Sequence, residues 1–197
     1  IRQCIEIALQ APTGSNLQGW RFMVVTDPEK RAGLARIYSK ARQTYYEMQA
    51  AQPPQLPAGD PRAAQRARVS ESSLYLGEHL HEVPVHIIPC IEGRMEEAPH
   101  LSRLTEYGNA YNAAIYGSIY PATWSLMLAL RARGLGSSWT SLHLMYEKEA
   151  ADILGVPDDI IQAALLPVAY FKGTDFKPAR RIPGQELTYW DTWGHRR

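Results

Sequence analysis

The sequence predicts an α/β protein with about four core strands, and three observations predict it. Apolar positions in the first ten residues recur at helical spacing. "WRFMVVT" (20–26) and "IIQAALLPVAYF" (160–171) are aromatic, β-branched and apolar runs of strand length. Between them, segments with helical and strand character alternate. With 197 residues, 45% hydrophobic and 21% charged, the chain is long enough to bury a core and fits one large domain.

Ile1, Ile5, Ala8 and Leu9 lie on one face of an opening helix. "IRQCIEIALQ" starts in mid-helix without a cap, so the native N-terminus is expected to lie before Ile1. The strand at 20–26 ends at Asp27-Pro28. There Asp27 suits an N-cap and Pro28 the first turn of a helix running through Leu34, Ile37 and Tyr38. "AQPPQLPAGDP" (51–61) is too rich in proline to be regular and reads as an excursion loop rather than a domain boundary. A helix over about 62–82 follows. "VPVHIIPCIEG" (83–93) reads as a buried strand whose Pro84 and Pro89 predict an edge position or a bulge.

Residues 96–116 are polar and Tyr-rich, with no clear period. "PATWSLMLALRAR" (121–133) is apolar on nearly every side, and Gly134 supplies its C-cap. A helix apolar all round must be covered all round, by its own domain or by a second subunit. Residues 137–142 read as a short strand and 147–154 as a short helix ending at Gly155, before the strand at 160–171. The remaining tail is polar but ends in Tyr189, Trp190 and Trp193. Aromatics of that size belong against the body or a partner subunit.

The formal net charge of +1 gives no electrostatic reason to expect nucleic acid or an anionic membrane as partner. No apolar run approaches the roughly 20 residues of a membrane span. Cys4 and Cys90 have no ligand spacing; reduced thiols in or near a core fit a cytoplasmic protein. GxSxG, GxxxxGK[ST] and HExxH are absent. "GLGSSW" (134–139) lacks the third glycine of a dinucleotide fingerprint and follows a helix, so it reads as a cap. His79 and His81 do not share a helical face. His86 and His143 are isolated and read as packed or surface residues. No nucleophile, general base or metal site assembles, so the chemistry of an enzyme here is expected to come from a cofactor.

Two features remain. "APTGSNLQGWRFMVV" (11–25) places the Thr13 and Ser15 hydroxyls, the Asn16 and Gln18 amides and the bare backbone of Gly14 between a helix and a strand. A plain connection needs about 4–6 residues and one turn; this loop is equipped to hold something. "FKPARRIP" (176–183) gathers Lys177, Arg180 and Arg181, a cluster that either pairs with phosphate or stays solvated.

These pieces resemble the FMN-dependent nitroreductase family, in particular its short actinobacterial-type members. The blocks that carry the resemblance are "APTGSNLQGWRFMVV", "GSIYPATWSLMLALRARGLGSSWTSL" (117–142) and "LLPVAYFKGTDFKPARRIPGQELTYWDTWG" (165–194). The resemblance implies an α+β fold, a three-layer α/β/α sandwich with a central, mostly antiparallel sheet. It implies a single domain over 1–197 whose C-terminal arm, 174–197, is swapped onto the partner of a homodimer.

It implies FMN as cofactor, lined by Pro12, Thr13, Gly14, Ser15, Asn16 and Gln18 and by Ser118, Ile119, Tyr120 and Pro121, with Arg180 and Arg181 at the phosphate. Asn16 would bond polar flavin atoms, a backbone N–H within 118–121 would approach flavin N5, and Tyr120 would lie near the ring or substrate. Trp20 would pack beneath the loop as core. The implied activity is ping-pong reduction of nitroaromatics, quinones or similar acceptors by NAD(P)H, with no catalytic side chain and no metal. An oxygen-using or dehalogenase-like flavin enzyme, or a flavin-sequestering protein without NAD(P)H turnover, shares the resemblance.

Three departures stand out. The family's Arg-x-Ser-x-Arg segment would precede Ile1, Gly19 replaces a proline and predicts a less rigid loop, and Trp124-Ser125 replaces Gln-Asn.

Overall fold

The computed structural model describes residues 1–52, 60–93, 109–173, 176–179 and 181–197. The elements run α1 (Arg2–Ala8), β1 (Trp20–Val25), α2 (Pro28–Ala51), α3 (Pro61–His79), β2 (Val85–Glu92), α4 (Ala110–Arg131), β3 (Leu135–Ser137), α5 (Glu147–Leu154), β4 (Ile160–Gln162), β5 (Leu166–Tyr170) and α6 (Gly184–Leu187). Short 3-10 turns occupy Gly14–Asn16, Leu80–Glu82 and Leu142–Tyr146. Asp27 caps α2 as its sequence predicts, its carboxylate accepting from the Lys30 N–H at 2.9 Å. Gly155 closes α5 with φ 72°, and Gly134 turns the chain out of α4 with φ 78°.

The sheet has the order β1-β2-β5-β3, with β4 also on β2, and every pair is antiparallel. Alternation along β2 separates two helical layers. Ile88 and Cys90 face Leu34, Ile37 and Tyr38 of α2 and Leu154 of α5. Ile87 and Ile91 face the other side, toward Cys4 and Ala8 of α1 and Ile115, Ile119 and Leu126 of α4. This is the expected α+β sandwich, with the sheet between two layers of helices.

Four local expectations are corrected. β2 is not an edge strand: β1 flanks one side, β4 and β5 the other. Its Pro89 is accommodated by the alternative, a bulge. Ile88 and Pro89 face the three residues 163–165, since Cys90 pairs with Gln162 and Ile87 with Leu166. The ladder is broken where proline has no N–H to give. The same bulge splits the single strand expected at 160–171 into β4 and β5.

The strand expected at 137–142 lies earlier, as β3, and only Thr140 bridges onward to Leu165. Finally, α4 begins at Ala110 rather than at Pro121, because Tyr111, Ile115, Ser118, Ile119, Ala122, Leu126 and Leu130 carry one buried helical stripe past the proline. Pro121 is on the exposed side of the helix.

By length and composition α4 is also apolar enough to cross a membrane, contrary to the sequence expectation; its buried stripe is spent on the sheet. The opposite side keeps Tyr120, Trp124 and Leu128 exposed. Residues 53–59 of the proline-rich segment lie outside the described residues.

Candidate functional site

The loop after α1 is fastened to α4. The Gly14 N–H donates to Ser118 Oγ at 2.9 Å, and Ser118 Oγ donates to the Ala114 carbonyl at 2.5 Å. From beneath, the Trp20 indole N–H donates to the Ser118 carbonyl at 2.9 Å while its ring packs among core residues. Trp20 is therefore both floor and staple of the loop.

Within the loop, Ser15, Asn16 and Gln18 adopt φ of 50°, 54° and 54°. Left-handed backbone at non-glycine residues costs of order 1 kcal/mol each and persists only where surroundings impose it. Here the imposing contacts are local. Thr13 Oγ1 accepts the Gln18 N–H at 3.1 Å, the Thr13 and Gly14 carbonyls accept from Asn16 and Leu17, and Gln18 Nε2 donates to Asn16 Oδ1 at 3.2 Å. The result is a shaped, strained loop that leaves Pro12, Ser15, Asn16 and Gln18 exposed. Gly14 needs no positive φ, and a Cβ there would meet only ordinary contacts, 3.7 Å to Ser118 Oγ.

The second predicted segment divides. Ser118 and Ile119 are buried, at 6% and 0% exposure. Ser118 therefore positions the loop, and Ile119, expected at the cofactor, is sealed in the core with Ile91, Tyr111 and Ala163. The backbone N–H expected near flavin N5 within 118–121 would have to come from the interior of α4, and Pro121 has none.

Tyr120 is exposed. Its ring stacks on Tyr116 at 5.2 Å and meets Trp139 edge-on at 5.2 Å and 70°. Burial, and to a smaller extent Tyr116, raises its phenol above the ordinary tyrosine value. Tyr120 stands about 200° round the helix from Ser118. The loop and the aromatic cluster thus occupy opposite faces of α4.

Trp139 was not anticipated. It sits between β3 and the bridge residue Thr140, whose reciprocal bonds with Leu165 measure 3.1 and 2.8 Å. An indole among four hydroxyl residues, Ser137, Ser138, Thr140 and Ser141, was the available signal. Lys177 and Arg181 are exposed on the segment after β5; Arg180 lies outside the described residues.

Other titratable groups are structural. Burial pushes the Cys90 thiol up to about 12, with Glu147 adding to it. Burial pushes His143 down to about 4, and neither ring nitrogen has a hydrogen-bond partner. His86 is also lowered by burial, although its Nε2 bonds the Leu80 carbonyl at 2.9 Å.

Residues 1–170 match the nitroreductase family. The chain belongs to that family. It is 28% identical over 203 residues to an NADH dehydrogenase of Thermus thermophilus, covering 96% of this chain and 84% of the relative. It is 26% identical over 168 residues to an iodotyrosine deiodinase of Thermotoga neapolitana, covering 84% and 73%. Among solved structures, an oxidised iodotyrosine deiodinase bound to FMN and 3-iodo-L-tyrosine superposes with a TM-score of 0.64 at 22% identity, covering 96% and 85%. That structure thus shares the fold described above.

Proposed function

We propose that the protein is a homodimeric, FMN-dependent oxidoreductase that reduces nitroaromatics, quinones or similar electron-poor acceptors with NAD(P)H. The observation that carries this reading is the strained loop at residues 12–18, held from behind by Ser118 and Trp20 while its amides and hydroxyl face outward. Strain maintained at a polar, exposed loop is the signature of a binding element.

FMN suits this donor set. A carboxamide both donates and accepts, as the polar edge of a flavin requires, and Asn16 and Gln18 orient one another. Ser15 adds a hydroxyl, and Pro12, Thr13 and Gly14 give the loop its wall. Arg181, with Arg180 and Lys177, would neutralise the phosphate. When bound, FMN supplies hydride-transfer chemistry. The chain's own share is to bind and orient: Ser118 holds the loop, and Tyr120 and Pro121 offer an exposed surface. The buried free thiols Cys4 and Cys90 suit a cytoplasmic setting.

Two copies complete the site in this reading. A helix about 10–12 Å across separates the loop from the Tyr120 cluster, so one bound molecule meets both only if the loop of one copy faces the aromatics of another. The exposed stripe of Tyr120, Trp124 and Leu128 and the aromatic arm at 174–197 are the surfaces that would join them. A dehalogenase activity on a halogenated aromatic is the second reading, favoured by the deiodinase relative; release of halide on turnover would select it.

The test is a visible spectrum after adding FMN and desalting, followed by anaerobic NADH or NADPH. Retained flavin bands that bleach support the reading. Retained bands that do not bleach indicate a flavin-sequestering protein, and absence of retained flavin refutes the reading.

A further inference from the structure

The second glycine of "GLGSSW" and the first residue after β5 meet. Gly136 pairs with Ala169 across β3 and β5. A Cβ on Gly136 would lie 3.3 Å from the Cβ of Phe171, so the bare backbone is what lets Phe171 settle against β3. Phe171 in turn meets the last turn of α4. The Arg131 guanidinium lies over the Phe171 ring at 4.0 Å and over the Phe176 ring at 4.2 Å. The two rings meet edge-on at 5.2 Å and 87°. Each of the three groups touches the other two.

We propose that Arg131 is the positioning residue of the C-terminal segment: by holding Phe171 and Phe176 together it fixes where the chain leaves β5, and with it the place of Lys177 and Arg181. The consequence for FMN rests on the oxidoreductase reading above; the clamp itself does not.

The physical case has three parts. Neither ring belongs to a core cluster, and Phe176 is 56% exposed, so these contacts do not build the core. A planar, weakly hydrated guanidinium is the cation best suited to lie on aromatic faces, and one side chain here serves two rings. Arg131 also stands in the last turn of α4, where the helix carbonyls favour a positive charge. The clamp thus ties a rigid helix end to two points five residues apart, and the basic residues begin directly after the second.

The experiment digests the full chain with trypsin under native conditions. Lys172 is exposed between the two rings, and the readout is the rate at which the fragment 1–172 appears by mass spectrometry. Such cleavage follows the population of the opened segment. Arg131→Met removes the cation and keeps the length, Phe176→Leu removes the outer ring, and Arg133→Met removes a neighbouring cation that lies over no ring. Cleavage after Lys172 is expected to rise about tenfold in each of the first two, the weight of the lost ring contacts, and to stay within about twofold in the third. FMN affinity, by fluorescence titration, should fall in the same two variants.

An unchanged cleavage rate in Arg131→Met and Phe176→Leu overturns the proposal. An equal rise in Arg133→Met assigns the effect to charge at the helix end and overturns it too. Acceleration at every tryptic site alike in both ring variants marks loss of the fold rather than release of the segment, and also overturns it. Faster cleavage with FMN affinity unchanged upholds the clamp and fails the assignment of Lys177 and Arg181 to the phosphate. A wild type that keeps no FMN fails the oxidoreductase reading, and the cleavage comparison still decides the clamp.

Discussion

Gly14 and Ser118 lie 104 residues apart in sequence, and a single bond of 2.9 Å from the Gly14 N–H to Ser118 Oγ joins the candidate binding loop to the longest apolar helix. The hydroxyl also bonds the Ala114 carbonyl, so its orientation is fixed from both sides. The loop's left-handed residues keep their shape because this anchor and the Thr13–Gln18 bond leave them no room to relax.

Replacing that hydroxyl should therefore loosen the loop while leaving the core in place. In Ser118→Ala the Gly14 N–H loses its partner, at a cost of about 1 kcal/mol. On the proposed reading FMN affinity should fall about tenfold, because the loop must then be ordered by the ligand. Fluorescence titration with FMN, set beside thermal melts, checks both. Ser118→Thr, which keeps the hydroxyl, should restore most of the affinity.

His143 should make the protein acid-labile. The folded chain keeps this fully buried imidazole neutral down to about pH 4, whereas the unfolded chain protonates it near the ordinary value of about 6.5. Between those limits the unfolded state binds the extra proton. Stability is thus intact above pH 6.5 and declines as pH falls toward 4, by on the order of 3 kcal/mol. Burial at His86 acts in the same direction. His143→Leu should flatten the melting temperature between pH 7 and 4.5. It should not destabilise at pH 7, since two unpartnered ring nitrogens are removed. A variant with the same acid slope as wild type would place the effect elsewhere.

Which features were legible in the sequence follows from how local their causes are. Asp27-Pro28 and Gly155 carry their caps within one turn, and the loop stood out because polar residues interrupted two apolar elements. The place of Trp20 beneath the loop came with the family resemblance and not from a local pattern. Pro121 misled, because proline favours a helix's first turn. Only the stripe continuing from Tyr111 through Ile115 to Ala122 shows that it lies inside α4.

Pro89 was ambiguous for a related reason. Proline restricts the ladder, but the extra residue that opens the ladder is on another strand, at 163–165. The Tyr120–Trp139 corner depends on how the chain returns from α4 through β3. The burial of His143 depends on packing around a 3-10 turn. Neither leaves a periodic trace.

Gly33 marks the tightest approach of α2 to α5 among the described glycines. A Cβ there would lie 2.9 Å from Ile153 Cδ1, the movable end of a side chain. Gly33→Ala should be nearly neutral, because about 0.5–1 kcal/mol of helix propensity offsets the small shift of Ile153. Gly33→Val adds branches that cannot be absorbed this way and should cost about 1–3 kcal/mol. That corresponds to roughly 2–4 °C in melting temperature per kcal/mol for a domain of this size. The gap in stability between the two variants, measured by calorimetry, is the check. Equal destabilisation would mean that Ile153 cannot move.

The C-terminal arm gives the sharpest test of the two-copy site. Its end is already folded on itself. The Trp190 N–H donates to the His195 carbonyl at 2.8 Å, Asp191 pairs with Arg197 at 3.0 Å, and the Tyr189 and Trp193 rings lie 4.5 Å apart. Yet Trp190 is 45% and Trp193 86% exposed. A preorganised knot with its indoles facing outward loses little entropy on docking, which is how a few buried tryptophans come to dominate an interface. If the arm embraces a second copy, Trp190→Ser with Trp193→Ser should weaken the dimer at least about thirtyfold, the equivalent of one hot spot. Melting of the isolated subunit should change little, since neither ring is part of a core cluster. FMN retention should fall in parallel with dimerisation, because the loop of one copy then no longer faces the Tyr120 cluster of the other. Light scattering and desalting on the same samples separate the possibilities: a monomer that still holds FMN would show that one chain completes the site, and an unchanged dimer would show that the arm has no part in joining the copies.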